Sequence, residues 1–249
     1  MIAPDQLASY LDALLGASSY DEGEPTNGLL LDAGRPVTKL AVAVNTSFEA
    51  IAQASARGAE LLLVHHPTWK SIDHALKPRK EAELLAAGVS LYGAHASLDC
   101  HSDFGSSDML ARALDIVVDG RFASYCGGLV GVHGRWEGTF DAFEARARAE
   151  LAAPVQLWRN PTDFGHIGLV TGGGGWTTWV EEARLLGCDT YMTGDVSMYT
   201  MLFARESGIN LIAATHYATE RHGVQALTAH VGEHFHLTWT FIEEKQDIP

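Results

Sequence analysis

The sequence predicts an α/β fold: two associated α/β halves with mostly parallel mixed sheets, helices outside, and a metal site at the carboxyl ends of the strands. Short apolar runs of strand length alternate with amphipathic helical segments along most of the chain, which is typical of right-handed βαβ units. Of the 249 residues, 47% are hydrophobic and 19% are charged, enough apolar side chains for a packed core. We predict a first half at residues 1–118 and a second at 119–249, which could also count as a single domain.

The first half begins with an amphipathic helix over residues 1–16, followed by a turn-rich stretch at 18–38. An apolar strand at 39–44 and a helix at 48–57, ended by Gly58, start the alternation. The remaining elements predicted here are strands at 60–64 and 89–94 and helices at 79–87 and 107–114. Strands that each lead into a helix predict parallel pairing.

The second half begins near residues 117–136, which are rich in glycine and lack a clear period, so we predict a crossover with one or two short strands. A helix at 140–151 follows, and Pro154 lies just beyond its end. Further strands are predicted at 167–170, 190–192, 210–214 and 236–241, and further helices at 176–186, 198–207 and 220–233. This regular alternation again indicates a parallel sheet.

The charge balance and the histidine and cysteine content limit the partners we expect. With 31 acidic and 17 basic residues, the formal net charge of −14 argues against binding nucleic acid or an anionic membrane surface. The 12 histidines suit transition metals. The 3 cysteines, Cys100, Cys126 and Cys188, have no metal-binding spacing and fit a reducing cytoplasm. No apolar run approaches the roughly 20 residues of a membrane helix, so we expect a cytoplasmic protein.

Two adjacent histidines, His65 and His66, directly follow the apolar strand at 60–64 and precede Pro67. Neighbouring residues at an extended strand end point to opposite faces, so two ions side by side could take one imidazole each. Pro67 also favours an extended backbone at His66. The alternative is a solvated loop with two ordinary histidines.

The next predicted strand leads into His95 and, four residues later, Asp99. A carboxylate at the end of the neighbouring strand suits a dinuclear site, because anions offset the charge of two dications. His95 is either a ligand itself or a donor that orients Asp99. The alternative for Asp99 is the cap of a helix.

His216 and Glu220 follow the strand at 210–214 and are four residues apart. In the first turn of a helix, both side chains would lie on one face. Thr215 can cap that helix, and capping explains Thr215 and Glu220. Capping does not explain why a histidine follows the end of this apolar strand, so we favour the interpretation that His216 and Glu220 are metal ligands.

The three segments together offer five candidate ligands: His65, His66, Asp99, His216 and Glu220. This donor set predicts two divalent metal ions per subunit, with positions left for water or substrate. Glu220 is the first choice for a bridging ligand and Asp99 the second, and a bridging water of lowered pKa would be the nucleophile. Imidazole and carboxylate suit zinc, iron, manganese and nickel alike.

Two further features near these ligands have open interpretations. Asp195 either accepts a hydrogen bond near the metals, acts as a base, or caps the helix at 198–207. Residues 171–175 (TGGGG) connect a strand to a helix, and we favour a tight turn over a phosphate-binding loop. No lysine follows them, and neither glycine-rich phosphate motif is matched.

Six strings, in order, carry a family resemblance: NGLLL (27–31), LLLVHHP (61–67), GAHASLD (93–99), TGGGG (171–175), YMTGD (191–195) and THYATE (215–220). The chain resembles the NGG-one-interacting-factor-three-like family, whose bacterial members carry the name type 2 GTP cyclohydrolase I. The resemblance implies two associated sheets, a dinuclear metal centre and a ring-shaped homohexamer built as a trimer of dimers. The metal ligands of the family match the five candidate ligands above.

Two positions depart from the family pattern. The family usually has a histidine four residues after the aspartate of TGD, where this chain has Tyr199. It also usually has glycine before the histidine of the last motif, where this chain has Thr215. Tyr199 removes a group that could act as acid, base or hydrogen-bond donor, so metal binding transfers more directly than activity.

We predict from the five candidate ligands a dinuclear metal-dependent hydrolase that acts on a small anionic or nucleotide-like substrate. The resemblance alone implies GTP as the substrate, with a metal-activated water that attacks C8 of the purine and opens the ring. The alternative is a non-catalytic metal-binding or regulatory protein. Apart from the substrate and copies of itself, we expect no nucleic-acid or membrane partner.

Overall fold

The structure, a computed structural model, describes residues 1–245 and divides into two compact units. Within that part of the chain, unit 1 contains residues 1–104, 126–128 and 224–245, and unit 2 contains residues 105–125 and 129–223. The predicted division into residues 1–118 and 119–249 stays a prediction, and its last four residues lie outside the described part. A segment late in the chain belongs to the same unit as the amino-terminal part.

The helices are α1 (Pro4–Leu15), α2 (Phe48–Ala56), α3 (Lys70–Asp73), α4 (Lys77–Ala87), α5 (Ala96–Asp99), α6 (Ser106–Ala113), α7 (Phe140–Leu151), α8 (Thr177–Leu185), α9 (Met198–Ser207) and α10 (His216–Phe235). The strands are β1 (Gly28–Leu31), β2 (Lys39–Asn45), β3 (Leu61–His66), β4 (Ser90–Gly93), β5 (Val117–Tyr125), β6 (Gly128–Arg135), β7 (Gln156–Trp158), β8 (His166–Val170), β9 (Thr190–Thr193), β10 (Asn210–Ala213) and β11 (Thr238–Phe241). None of the helices in the described part of the chain has both the length and the apolar character needed to cross a bilayer.

Unit 1 is built on a sheet with the strand order β1–β4–β3–β2–β11. The pairs β2–β3, β3–β4 and β2–β11 are parallel, and β1 is antiparallel to β4. Every residue of β3 is buried, which explains its uninterrupted apolar run. Leu62 of β3 and Leu84 of α4 belong to one core cluster and are fully buried. Each such leucine contributes about 1.5–3 kcal/mol to folding, and together they fix α4 on the sheet.

Unit 2 is built on a sheet with the strand order β5–β6–β8–β9–β10–β7. The pairs β8–β9 and β9–β10 are parallel, whereas β6–β8 and β7–β10 are antiparallel. Its core joins Leu110 of α6, Phe143 of α7 and Ile167 of β8, all fully buried. The two mixed sheets confirm the predicted α/β fold class, although unit 2 departs from the parallel sheet expected for its strands, because β6–β8 and β7–β10 are antiparallel.

The structure corrects the sequence prediction at several places, most of them in this unit. The predicted crossover at 117–136 is wrong, because β5 and β6 are long neighbouring strands. Gly134 in β6 does not mark a turn: a Cβ there would lie 2.8 Å from the carbonyl carbon of Val117. The helix predicted at 220–233 begins earlier, at His216, so His216 and Glu220 lie in its first turn. The edge strands β1 and β7 were not predicted.

Candidate metal centre

In unit 1, the end of β3 carries His65 with a fixed ring orientation. Its side chain is buried, and Nδ1 lies 2.8 Å from the carbonyl oxygen of Ala94, which follows the neighbouring strand β4. Because a carbonyl oxygen only accepts hydrogen bonds, Nδ1 carries the proton and donates it. The neutral ring therefore has its lone pair on Nε2, which is the form that binds a metal.

His66 is oriented in the same way by the strand on the other side of β3. Its Nδ1 lies 2.7 Å from Oδ1 of Asn45, its register partner in β2. The Asn45 amide nitrogen in turn donates to Oε2 of Glu244 at 3.3 Å, which fixes the amide oxygen toward His66. The imidazole thus donates through Nδ1 and has its lone pair on Nε2.

His95 follows β4 and is held by two residues of the turn-rich segment before β1. Its Nδ1 donates to Oε1 of Glu22 at 2.5 Å. Asn27 donates from its amide to Oε2 of Glu22 at 3.1 Å and accepts from the backbone N–H of His95 at 2.9 Å. Glu22 and Asn27 therefore fix both the ring and the backbone of His95.

These side chains form one group in unit 1. His65, His66 and His95 each offer one ligand atom, and these atoms lie within 4.8 Å of one another. Oδ2 of Asp99 lies 3.4 Å from Nε2 of His65. Asp99 is the last residue of α5, so it is not the amino-terminal cap of that helix. Unit 1 thus gathers His65, His66, Asp99 and His95.

In unit 2, the first turn of α10 brings His216 and Glu220 onto one face. Nε2 of His216 lies 3.2 Å from Oε1 of Glu220, whose side chain is 5% exposed. Nδ1 of His216 donates to Oδ2 of Asp195 at 2.6 Å. Ser197 caps α9, so Asp195 acts as the acceptor that orients His216. Unit 2 therefore gathers His216, Glu220 and Asp195.

The two carboxylates make this part of unit 2 favourable for positive charge. Burial lowers the pKa of His216, but the charge of Glu220 and the hydrogen bond to Asp195 raise it more, to about 10. The carboxylates of Glu220 and Asp195 thus place negative charge around His216 that a neutral imidazole does not offset. A cation bound at this position would offset it.

The TGGGG segment connects β8 to α8 and lies against this pair. Gly172 has φ +60°, and a Cβ there would lie 2.7 Å from Cδ of Glu220 and 3.0 Å from Nε2 of His216. Its N–H donates to Oγ1 of Thr219 at 2.9 Å, and its carbonyl oxygen accepts from the N–H of Asp195 at 2.9 Å. The segment is therefore a tight turn that supports Glu220, and only glycine fits at residue 172.

Thr215 joins β10 to α10 with φ +61°. A β-branched residue rarely adopts this left-handed backbone conformation, because its side chain crowds the backbone. The conformation lets the chain turn directly from the strand into the helix, so that His216 is already helical. The strain therefore lies next to a candidate ligand.

An open cleft of about 590 Å³ lies in unit 2 beside the same residues. It is lined by Gly173, Gly175, Trp176, Thr177, Thr178, Asp195, Val196, Ser197 and Tyr199. Trp176 is 59% exposed and Tyr199 is 68% exposed. Trp176 also stacks on Trp179, with ring centroids 5.1 Å apart. The cleft thus presents flat aromatic surface close to Asp195.

The four histidines described above share one arrangement, in which Nδ1 hydrogen-bonds to an oxygen atom and Nε2 is the ring nitrogen that could bind a metal. They are His65, His66, His95 and His216. With nearby carboxylates, this nitrogen and oxygen donor set fits a divalent transition metal. The sequence did not reveal the orienting residues Glu22, Asn27 and Asn45. Asn27 opens the NGLLL string, but no spacing linked any of the three to a histidine.

The chain is similar to proteins of one family along its whole length. The family model of Duf34/NIF3 (NGG1p interacting factor 3) matches residues 3–248. A protein of Allochromatium vinosum named GTP cyclohydrolase 1 type 2 homolog is 36% identical, over 95% of this chain and 94% of its own. A Yersinia pestis protein of the same name is 31% identical, over 98% and 97%. The solved structure of protein ybgI, of unknown function, has a TM-score of 0.89 at 28% identity and covers 99% of this chain and 100% of its own.

Proposed function

The chain belongs to the DUF34/NIF3 family, and we propose that it is a metal-dependent hydrolase that uses two divalent cations. The ions would be held by His65, His66 and Asp99 in unit 1 and by His216 and Glu220 in unit 2. When bound, such ions act as Lewis acids and lower the pKa of water. The substrate would be small and anionic or nucleotide-like, as the name of the relatives suggests.

One observation supports metal binding more than any other: the donor form of the histidines. The carbonyl of Ala94 fixes His65, and the amide of Asn45 fixes His66. The carboxylate of Asp195 does the same for His216. Histidines that bind metals in proteins generally donate through the other ring nitrogen to an oxygen acceptor, and this partner raises the basicity of the ligand.

The residues of the chain also supply a means of holding a nucleotide-like substrate. The exposed faces of Trp176 and Tyr199 line the cleft beside Asp195. Stacking of a base on an aromatic ring is worth about 1–3 kcal/mol. Trp176→Ala should therefore raise the KM for GTP by roughly 5- to 150-fold. A KM for GTP unchanged by this substitution would remove the cleft from the proposal.

The test combines metal analysis with turnover. Protein purified without a His tag would be analysed for bound metal, loaded with zinc, manganese, iron or nickel, and assayed with GTP and other nucleotides. We expect His216→Ala to bind less metal than the wild-type protein and to lose hydrolysis. His222→Ala is the matched control, because His222 lies on the same helix and pairs with Glu150 at 3.1 Å. Equal metal content and activity in both variants would contradict the proposal.

A second function is favoured by one position, Tyr199. The chain has this exposed tyrosine where the resembled family usually has a histidine. A non-catalytic metal-binding or regulatory protein needs no acid or base at this place. Loss of thermal stability on adding a chelator, with no turnover by any metal-loaded form, would support this function. Turnover that depends on bound metal would exclude it.

We also propose self-association as a homohexamer, a trimer of dimers, on the basis of the family alone. Light scattering coupled to size-exclusion chromatography measures the mass directly. A mass of six 26.8 kDa chains is expected, and a monomer at micromolar concentration would contradict it.

A further inference from the structure

A second group of metal-capable side chains lies in unit 2, at the opposite edge of the sheet from Gly172. His133 is on β6, His166 is the first residue of β8, and Cys188 precedes β9. Gly172 follows the carboxyl end of β8, whereas this group lies at the starts of β8 and β9. Each of the three residues offers one ligand atom, and these atoms lie within 4.8 Å of one another.

The two imidazoles of this group are arranged as two ligands of one ion would be. Nδ1 of His166 donates to the carbonyl oxygen of Gly187 at 3.0 Å, so the lone pair of His166 is on Nε2. That Nε2 accepts a hydrogen bond from Nδ1 of His133 at 3.2 Å, and a metal ion would replace this bond. Two nitrogen ligands of a tetrahedral zinc ion lie about 3.3 Å apart, because each Zn–N bond is about 2.0–2.1 Å. The observed spacing therefore matches the edge of a zinc tetrahedron.

A carboxylate on the neighbouring strand can complete the set. Oδ2 of Asp119, on β5, lies 3.9 Å from Nε2 of His166 and 3.5 Å from Nε of Arg135. Asp119 is 41% exposed, so its side chain can rotate at little cost. Cys188 is buried, which shields the sulfur from water. Two imidazoles, one thiol and one carboxylate form a four-ligand set of the kind that zinc prefers.

We propose that unit 2 binds a zinc ion through His133, His166 and Cys188, with Asp119 as the fourth ligand. When the ion binds, the thiol proton of Cys188 passes to solvent, as thiolate is the binding form, and the ring proton of His133 moves from Nδ1 to Nε2 by exchange with solvent. This site is independent of the proposed hydrolase centre and shares no residue with it. Because its ligands come from β5, β6, β8 and the approach to β9, the ion would link four neighbouring segments of the sheet.

The test uses cobalt(II), because a cobalt–thiolate bond gives a near-ultraviolet charge-transfer band that imidazole and carboxylate ligands do not give. We expect this band in the cobalt-loaded protein and its loss in Cys188→Ser and in His133→Gln. It should persist in His66→Ala, which removes a ligand of the hydrolase centre, and in Cys100→Ser, the matched thiol control. The zinc content should fall by one ion per chain in Cys188→Ser.

The zinc affinity gives a second measurement. His166→Ala should weaken zinc binding at this site at least tenfold, as measured by chelator competition. A wild-type protein without the thiolate band, or a band that survives Cys188→Ser, would overturn the proposal. If Cys188→Ser does not fold, His133→Gln decides alone: a band of full strength in that variant would equally overturn it.

Discussion

The Gly172→Ala substitution tests whether glycine is needed in the turn after β8 to leave space for the Glu220 carboxylate. The new Cβ would overlap Oε1 of Glu220 and lie 2.7 Å from its Cδ, whereas ordinary contacts begin at 3.4 Å, so the carboxylate oxygen must withdraw by more than 1 Å. A metal–oxygen bond is about 2.0–2.2 Å long, and a displacement of this size breaks it. We therefore expect metal binding to weaken by at least about tenfold.

The substitution also strains the backbone, and this part can be measured separately. Alanine at φ +60° costs about 1–2 kcal/mol of unfolding free energy, or roughly 2–8 °C in Tm for a chain of this size. Gly208→Ala is the matched control: it lies in the same unit at φ +77°, and no heavy atom lies within 4 Å of the added Cβ. Gly208→Ala should show the backbone cost alone, and Gly172→Ala should lose at least as much stability.

The assay is competition for zinc with a chromophoric chelator, run beside thermal unfolding in excess chelator. Zinc bound near Cys188 contributes equally to both variants and cancels in the comparison. Weaker zinc binding in Gly172→Ala than in Gly208→Ala is the expected result. Equal affinity in the two variants would refute the reasoning, since it would mean that the position of Glu220 does not matter for the metal.

Three further predictions concern other residues. Asn45→Ala should weaken metal binding about 10- to 100-fold in chelator competition, because His66 loses the acceptor that orients it; unchanged affinity would contradict this. Thr215→Gly should raise the unfolding free energy by roughly 0.5–1 kcal/mol in urea titrations, since glycine tolerates φ +61°; a loss of stability would show that the threonine side chain matters more than the strain. Burial raises the pKa of Asp108 to about 6, against an opposing effect of Arg121. The folded state therefore keeps Asp108 protonated up to a higher pH than the unfolded state does. The stabilisation that results is fully present below about pH 4 and is lost as the pH rises through 6. Asp108→Asn should therefore reduce the change in unfolding free energy between about pH 4 and pH 6 by up to about 3 kcal/mol. Parallel curves of unfolding free energy against pH for the wild type and the variant would contradict this.

The parallel core strands were predictable, because their environment leaves a clear pattern in the chain. β3 is buried on both faces, so its sequence is an uninterrupted apolar run that ends at the histidines. β5 and β6 lack such a run. Val117 and Val118 of β5 are exposed, and Gly134 reflects close approach of a neighbouring backbone rather than a turn. A glycine required by tertiary packing is indistinguishable in sequence from one required by a turn.

The candidate ligands were predictable from where they fall after strands, but the residues that orient them were not. Glu22 is 73 residues from His95 along the chain, and Asn45 is 21 residues from His66. Their partnership arises only when β1 to β4 are assembled, and no local pattern records it. The acceptor role of Asp195 was one of several open alternatives, because capping and hydrogen bonding to a histidine use the same residue type.

The late strand β11 has a consequence for how the protein is made. It pairs with β2 in parallel, with Thr238 opposite Lys39, so two neighbouring strands are separated by about two hundred residues of chain. While a ribosome is still translating the intervening segment, the hydrogen-bonding edge of β2 remains available to other nascent chains. We expect polypeptides halted before residue 238 to aggregate or to be retained by chaperones.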